Sequence, residues 1–381
     1  MSKKKKDNGE VQEGTTLKHD KLVDVLAESI NESYQDSPEP TAYVLGSVFE
    51  TPADVTDFVS TGNDLLDLKI SNRPNGGVPV GRVTEIMGWE ASGKSLLCAH
   101  LLANTQKKGG VAVFIDTEAA ISREFLEAIG VNLQTLVYVS HDLIEDCFTS
   151  IEKVVETIRK SNNDRLVTIV CDSVSAASTK IEQESDYDKD GWSTSKAIII
   201  SKAMRKLTGM IAKKKICLVF TNQLREKLGV MFGDKSTTSG GKALGFHSSV
   251  RLIAKAVGQL KKGDDVVGIK TQVKVKKNRI GPPLRVAAFD IYFSSGIDNY
   301  GSWIDELKDL KVSDGKSFKY GEEEIKFKTK EGFAKLLKER SEVKDYLYKI
   351  ICDANIMKYS NHVPEEGEVT LDKDNVEELN S

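Results

Sequence analysis

From residue 81 onward the chain alternates short, unbroken apolar runs with longer stretches whose apolar positions recur every three or four residues. The runs at 82–87, 111–116, 136–140, 166–172 and 216–222 predict buried strands, and the intervals 94–107, 142–160 and 195–213 predict helices. Alternation of this kind argues for an α/β fold whose central sheet is mostly parallel and covered on both faces. Runs near 250–254, 271–277 and 287–293 alternate apolar with polar residues and are expected to extend the sheet in the antiparallel sense. Upstream, Leu22, Val23, Leu26 and Ile30 fall at helical spacing within 20–34, and a linker with Pro38 and Pro40 follows over 35–42. A lone helix of that length cannot bury its own apolar stripe and must dock on something. Beyond residue 301 short Lys/Glu-rich elements predict a small α+β C-terminal domain.

Composition changes this picture little. Hydrophobic content of 39% and charged content of 29% fit a soluble globular protein, and a net charge of -3 does not by itself point to nucleic acid. The charge is segregated, however. Lys3 to Lys6 make a basic N-terminal run, whereas 364–381 holds seven acidic residues against Lys373 alone, so both ends are expected to be solvated tails. Cys98, Cys147, Cys171, Cys217 and Cys352 lack C-x-x-C spacing and read as buried thiols of a reducing compartment. With no apolar run long enough to span a bilayer and no apolar core in the leader, the expectation is a cytoplasmic protein with no membrane partner.

The chemistry begins at the end of the first strand. Gly88, Trp89, Glu90, Ala91, Ser92, Gly93, Lys94 and Ser95 match G-x-x-x-x-G-K-[ST], with a strand before and a helix after. Glycines let backbone N–H groups approach phosphates, and the helix N-terminus adds favourable potential. Lys94 is expected to reach the β/γ phosphates and Ser95 to ligate Mg²⁺. The strand 166–172 ends in Asp172, placed to hold the hydration shell of the same ion. The strand 111–116 runs into Asp116-Thr117-Glu118, where Glu118 is the expected general base for the attacking water. Such a loop establishes nucleoside triphosphate binding and no more.

What the triphosphate serves is proposed by 220–246, FTNQLREKLGVMFGDKSTTSGGKALGF, read as a strand ending at Asn222-Gln223 and a long loop. Gln223 stands between strand and loop, where it can touch both the γ-phosphate and the loop. Arg225, Lys227, Lys235 and Lys242 can neutralise nucleic-acid phosphates, Thr237, Gly240 and Gly241 offer compact hydrogen-bonding backbone, and Leu228 and Val230 can wedge between bases.

The GVMFG and TT-x-GG elements, with the phosphate loop and FIDTE, closely resemble the bacterial RecA recombinase family from about residue 60 to 301 and more faintly to 360. The resemblance implies a P-loop NTPase with a RecA-type core and a DNA-dependent ATPase. It would form a helical homo-oligomeric filament on single-stranded DNA and exchange strands with homologous duplex DNA. Single-strand-binding and loader proteins would be its partners, and DNA repair and the SOS response its setting. Phe125 and Phe293 match aromatics that flank the adenine, and Arg205 a DNA-phosphate contact. Lys277 and Arg279 match cations that reach a neighbour's ATP across the subunit interface. A first DNA loop is expected near 182–195, where it is unusually acidic and the match is loose. Glu226 puts an acid beside the presumed DNA path, and Ile198 stands near where an arginine is expected, so that contact is either missing or replaced by Lys196. The expected organisation is a basic leader (1–19), an oligomerisation helix and linker (20–50), the ATPase core with DNA loops (51–299), the α+β domain (300–363) and an acidic tail (364–381). A bacterial or phage-encoded member fits this pattern. Two alternatives stay open: another RecA-fold motor or repair ATPase of the hexameric helicase type, and a regulatory ATP- and DNA-binding filament protein with little hydrolysis.

Overall fold

The computed structural model describes residues 21–36, 40–46, 51, 54–119, 121–161, 165–185, 192–212, 214–226, 236–238 and 240–359. The leader, the acidic tail and 227–235, with Lys227 and Leu228, lie outside them. The chain divides after Asp54. The first unit holds helix α1 (Lys21–Glu32), none of whose residues is buried. Asn31 clamps the returning chain, its Oδ1 accepting the N–H groups of Thr41 and Ala42 (both 2.8 Å) while its Nδ2 donates to the Ala42 carbonyl.

The second unit contains, in chain order, β1 (Phe58–Val59), α2 (Asp64–Ser71), β2 (Val78–Pro79), β3 (Val83–Gly88), α3 (Lys94–Lys107), β4 (Val111–Asp116), α4 (Arg123–Ile129) and β5 (Leu136–Ser140). Next come α5 (Ile144–Lys160), β6 (Val167–Asp172), α6 (Lys180–Gln183), α7 (Trp192–Ile211), β7 (Ile216–Glu226), β8 (Ser236–Thr238), α8 (Ala243–His247) and β9 (Val250–Lys262). The rest is β10 (Asp265–Asn278), β11 (Val286–Tyr292), β12 (Gly296–Ile297), α9 (Asn299–Asp309), β13 (Ser317–Tyr320), β14 (Glu323–Lys326), α10 (Lys330–Glu339) and α11 (Ser341–Asn355).

The main sheet runs β12-β11-β10-β9-β3-β7-β6-β4-β5. Its inner parallel strands β3, β4, β6 and β7 read as apolar runs because both faces are covered. In β4, Ala112 and Phe114 join a cluster with Leu97, Leu101 and Phe289, while Val113 and Ile115 join the opposite cluster with Ile151, Met204 and Phe220. The C-terminal elements share the first cluster through Trp303, Phe333 and Leu347. All five cysteines are free and buried.

Three expectations need correction. The run 136–140 was expected to be a buried strand, but β5 forms the edge of the sheet and none of its residues is buried. The strand near 250 was expected to be antiparallel, but β9 lies parallel to β3, with Thr84 opposite Val250 and Gly88 opposite Ala254. Beyond β9, β10 to β12 continue the sheet in the antiparallel sense, as expected. The alternation at 250–254 is present, buried with half-buried residues, but on the five positions that pair in parallel with β3, and β9 then runs on largely exposed. The loop expected from Gln223 is also shorter: β7 continues to Glu226, and 224–226 pair antiparallel with β8. Gly240 and Gly241 then turn the chain at φ +83° and +72°, and α8 follows.

Candidate functional site

The carboxyl ends of the parallel strands are where open α/β sheets place their ligands. Here they deliver the expected residues to one edge: Gly88 pairs with Gln223 and Asp116 with Asp172. After β3 the loop bends through Ala91 and Gly93 at φ +53° and +93°, left-handed conformations suited to glycine at the second position. A Cβ at Gly88 would come within 2.5 Å of the Ala254 carbonyl, and one at Gly93 within 2.8 Å of Ile291. Side-chain capping is absent at the start of α3, so its first N–H groups are free of such a competitor. Ser92 is buried and donates to the Trp89 carbonyl (2.7 Å), whereas Trp89 is exposed. Lys94 folds over the loop and donates to the Gly88 (3.1 Å) and Trp89 (2.7 Å) carbonyls. Burial lowers its ammonium below the usual lysine range, against the opposing pull of Asp172, Glu118 and Glu90.

Asp172 is buried and is bonded by the hydroxyls of Thr221 and Ser95. Burial raises its carboxyl above the ordinary aspartate value, and those two hydrogen bonds oppose the rise. Glycine cradle, open helix N-terminus, ammonium, and a hydroxyl beside a buried carboxylate together fit a magnesium-bound triphosphate. Among the described residues there is no cluster of three His, Cys, Asp or Glu that could hold a metal ion.

Glu118 is exposed at the same edge. Asp116 builds the turn that carries it, its Oδ1 accepting the N–H groups of Glu118 and Ala119 (both 2.9 Å) while its Oδ2 accepts from Tyr138 (3.1 Å). Glu118 Oε1 accepts from Ser173 Oγ at 2.7 Å and from Gln223 Nε2 at 3.4 Å. A cavity of about 310 Å³ is lined by Ser95, Phe114, Asp116, Glu118, Ile121, Ser122, Phe125 and Asp172. Ser122 caps α4 by accepting the Phe125 N–H (3.0 Å), which fixes that aromatic at the cavity wall. Phe293 lies just past β11, is exposed, and is not part of this lining.

Lys277 and Arg279 do converge, but on α8. Lys277 Nζ donates to the carbonyls of Gly245 (2.8 Å) and Phe246 (3.0 Å), and Arg279 also reaches the Phe246 carbonyl (3.4 Å). Burial, with Arg279 and Arg251 nearby, pushes the Lys277 ammonium down to about 8. His247, beside Arg205, Lys277 and Arg279, is likewise held below the usual histidine range, first by burial. Arg205 is exposed on α7 and donates to Ser201 (2.8 Å). Arg225 pairs in the ladder with Thr237 and is exposed, and Lys242 is exposed at the start of α8. Gly240 and Gly241 press on α7, where a Cβ would strike Ile200 and approach Ala197, so packing accounts for their identity. Lys196 cannot replace an exposed arginine. It is buried and donates to the carbonyls of Ser175 (3.1 Å) and Ala177 (2.5 Å).

Several residues of the site were not singled out by motif: Thr117, Ser173, Ser175 and Thr221 beside the carboxylates, and Glu85, Asn222 and Arg251 beneath them. The Glu85 carboxylate is fully buried and accepts from Arg251 Nε (2.6 Å) and Asn222 Nδ2 (3.0 Å). Serine and threonine after a strand-ending Asp were the available signal for Thr117, Ser173 and Ser175; strand register, invisible in the sequence, brings in Thr221 and the second group.

Residues 40–298 match the RecA N-terminal domain. The chain is 40% identical over 289 residues to Protein RecA of Rubrobacter xylanophilus, covering 75% of this chain and 81% of the relative. Identity to Protein RecA of Symbiobacterium thermophilum is 41% over 270 residues (70% and 74% coverage), and to that of Listeria monocytogenes 38% over 316 residues (82% and 88%). With an N-terminal-domain match over well over half of its length and relatives of this similarity, the chain belongs to the bacterial RecA family of ATP-dependent recombination proteins.

Proposed function

We propose that the protein assembles as a helical filament on single-stranded DNA, hydrolyses ATP in response to that DNA, and pairs it with homologous duplex. The observation that carries the reading is the meeting of Glu118 with Gln223, and of Gln223 with Gly88, at the root of the segment that leads to β8. The Gly88 to Ser95 loop holds the phosphates, Lys94 moves from the loop carbonyls to the β/γ oxygens, and Ser95 with Asp172 holds Mg²⁺. Bound magnesium supplies charge neutralisation at the phosphate oxygens. Glu118 takes the proton of the attacking water, and Gln223 senses the γ-phosphate. Phe125 faces the adenine from the cavity wall, and Phe293, exposed beyond β11, closes on the other side.

Arg205, Arg225 and Lys242 supply phosphate contacts to DNA, and Lys227, Leu228, Thr237, Gly240 and Gly241 join them in binding it. Lys277 and Arg279 reach a neighbouring subunit's ATP. The apolar stripe of α1, with Val25, Leu26 and Ile30 unburied, docks on the next copy. The exposed Val137 and Tyr138 of the edge strand β5 offer a surface of matching character. Single-strand-binding and loader proteins belong to this proposal as partners.

The test is steady-state ATPase with and without single-stranded DNA, alongside electron microscopy of the product. We expect DNA-stimulated hydrolysis and filaments, and a loss of about 10²- to 10⁴-fold in kcat for E118Q. Full activity in E118Q removes the base assignment. Closed rings without filaments would favour a helicase-type motor.

A further inference from the structure

The segment 173–177 is bonded to three parts of the molecule at once. Towards the site, Ser173 Oγ donates to Glu118 Oε1 at 2.7 Å, and Thr117 brackets the same residue, donating to its carbonyl (2.8 Å) and accepting its N–H (2.9 Å). Within the segment, Ser173 Oγ and Ser175 Oγ lie 2.8 Å apart. Towards β7, Ser175 Oγ accepts the Gln223 backbone N–H at 3.3 Å. Towards α7, the buried Lys196 donates to the Ser175 and Ala177 carbonyls. Ser173 and Ser175 are themselves almost fully buried, so these bonds have no ready replacement in water.

Each hydroxyl donates one proton and accepts others. Since Ser175 accepts from Gln223 and Ser173 donates to Glu118, a single direction satisfies the chain: Gln223 N–H to Ser175, Ser175 O–H to Ser173, Ser173 O–H to Glu118. Polarised chains of this kind strengthen each member, and shifting one end changes the geometry at the other. The two outer anchors flank the expected DNA surface, β7 running into the segment before β8 and α7 carrying Arg205.

We propose that Ser173 and Ser175 are positioning residues that set Glu118 for the attacking water and transmit to it the position of β7, with Lys196 fixing their segment to α7. DNA bound beyond β7 and along α7 then reaches the base through two serines, in addition to the direct Gln223 side-chain bond. This rests on the reading of Glu118 as general base.

The test uses the full-length protein and a poly(dT) single strand. S173A should lower kcat by about 10-fold with and without DNA while leaving the KM for ATP within about 2-fold, as for a base moved out of line. S175A and K196M should lower the ratio of DNA-stimulated to basal rate by about 5-fold, and S175T, which restores the hydroxyl, should recover it. Cysteine variants, equal in size and weak as donors, give the same readings if an alanine variant fails to fold. Wild-type kcat in S173A together with an unchanged stimulation ratio in S175A overturns the proposal. An inactive E118Q with unaffected serine variants removes the relay alone, whereas a fully active E118Q removes the reading beneath it.

Discussion

Replacing Arg251 by methionine isolates the buried carboxylate under the phosphate loop. Glu85 and Arg251 are directly opposed in the β3–β9 ladder, and Nε lies 2.6 Å from Glu85 Oε2. The other carboxylate oxygen accepts from Asn222 on β7, so one side chain ties three central strands together just before Gly88. Arg251 also packs against Gly245, where a Cβ would sit 3.0 Å from the guanidinium carbon, and donates to Met87 Sδ (3.0 Å). Methionine keeps most of the stem but leaves Glu85 a buried, half-paired charge. Breaking a buried pair in this way costs about 3–5 kcal/mol, whereas exchanging both partners for neutral residues is often close to neutral. R251M should therefore lose about 3–5 kcal/mol in urea unfolding, and E85Q/R251M should recover most of it. A loss under about 1 kcal/mol in R251M, with a coupling energy under about 0.5 kcal/mol in the double-mutant cycle, would refute the reasoning.

Two further outcomes follow from groups remote from the reaction. His100, on α3, accepts the Ile297 N–H at Nε2 (3.1 Å) and is squeezed by Gly62 and Gly296; burial lowers it from 6.5 to about 4. A histidine depressed in the folded state leaves the unfolded chain binding the proton first, so stability should fall as pH drops from 6.5 towards 4. The loss is up to about 3 kcal/mol, and H100Q should flatten it in denaturation curves across that range; an equal slope in both proteins would count against this. Thr84 Oγ1 is buried without a hydrogen-bond partner among the described residues, so T84V should leave stability unchanged or raise it by about 1 kcal/mol, measured as a shift in urea midpoint.

The strands β4 and β5 and helix α3 were legible to the residue, because their apolar runs are bounded by glycine, charge or the phosphate motif. Glu118, Asp172 and Gln223 were legible for a related reason: each sits where a buried run stops, and such stops face one edge. The direction of β9 was hidden, since 250–254 alternate buried with half-buried residues as an antiparallel strand would, although they pair in parallel with β3. Lys196 and Arg251 were hidden differently. Both look like surface cations in the sequence, and only their register against carbonyls and a carboxylate reveals them as buried supports.

The rung that pairs Gly88 with Gln223 also divides the chain into parts with different freedom to change length. A change of length between β7 and β8 leaves the register of that rung as it is. A single insertion or deletion within β7 would instead turn every side chain of the strand to the opposite face, dropping Gln223 into the core and carrying a neighbour to the triphosphate. Register thus confines changes of length to the connection beyond β7 and forbids them at its root.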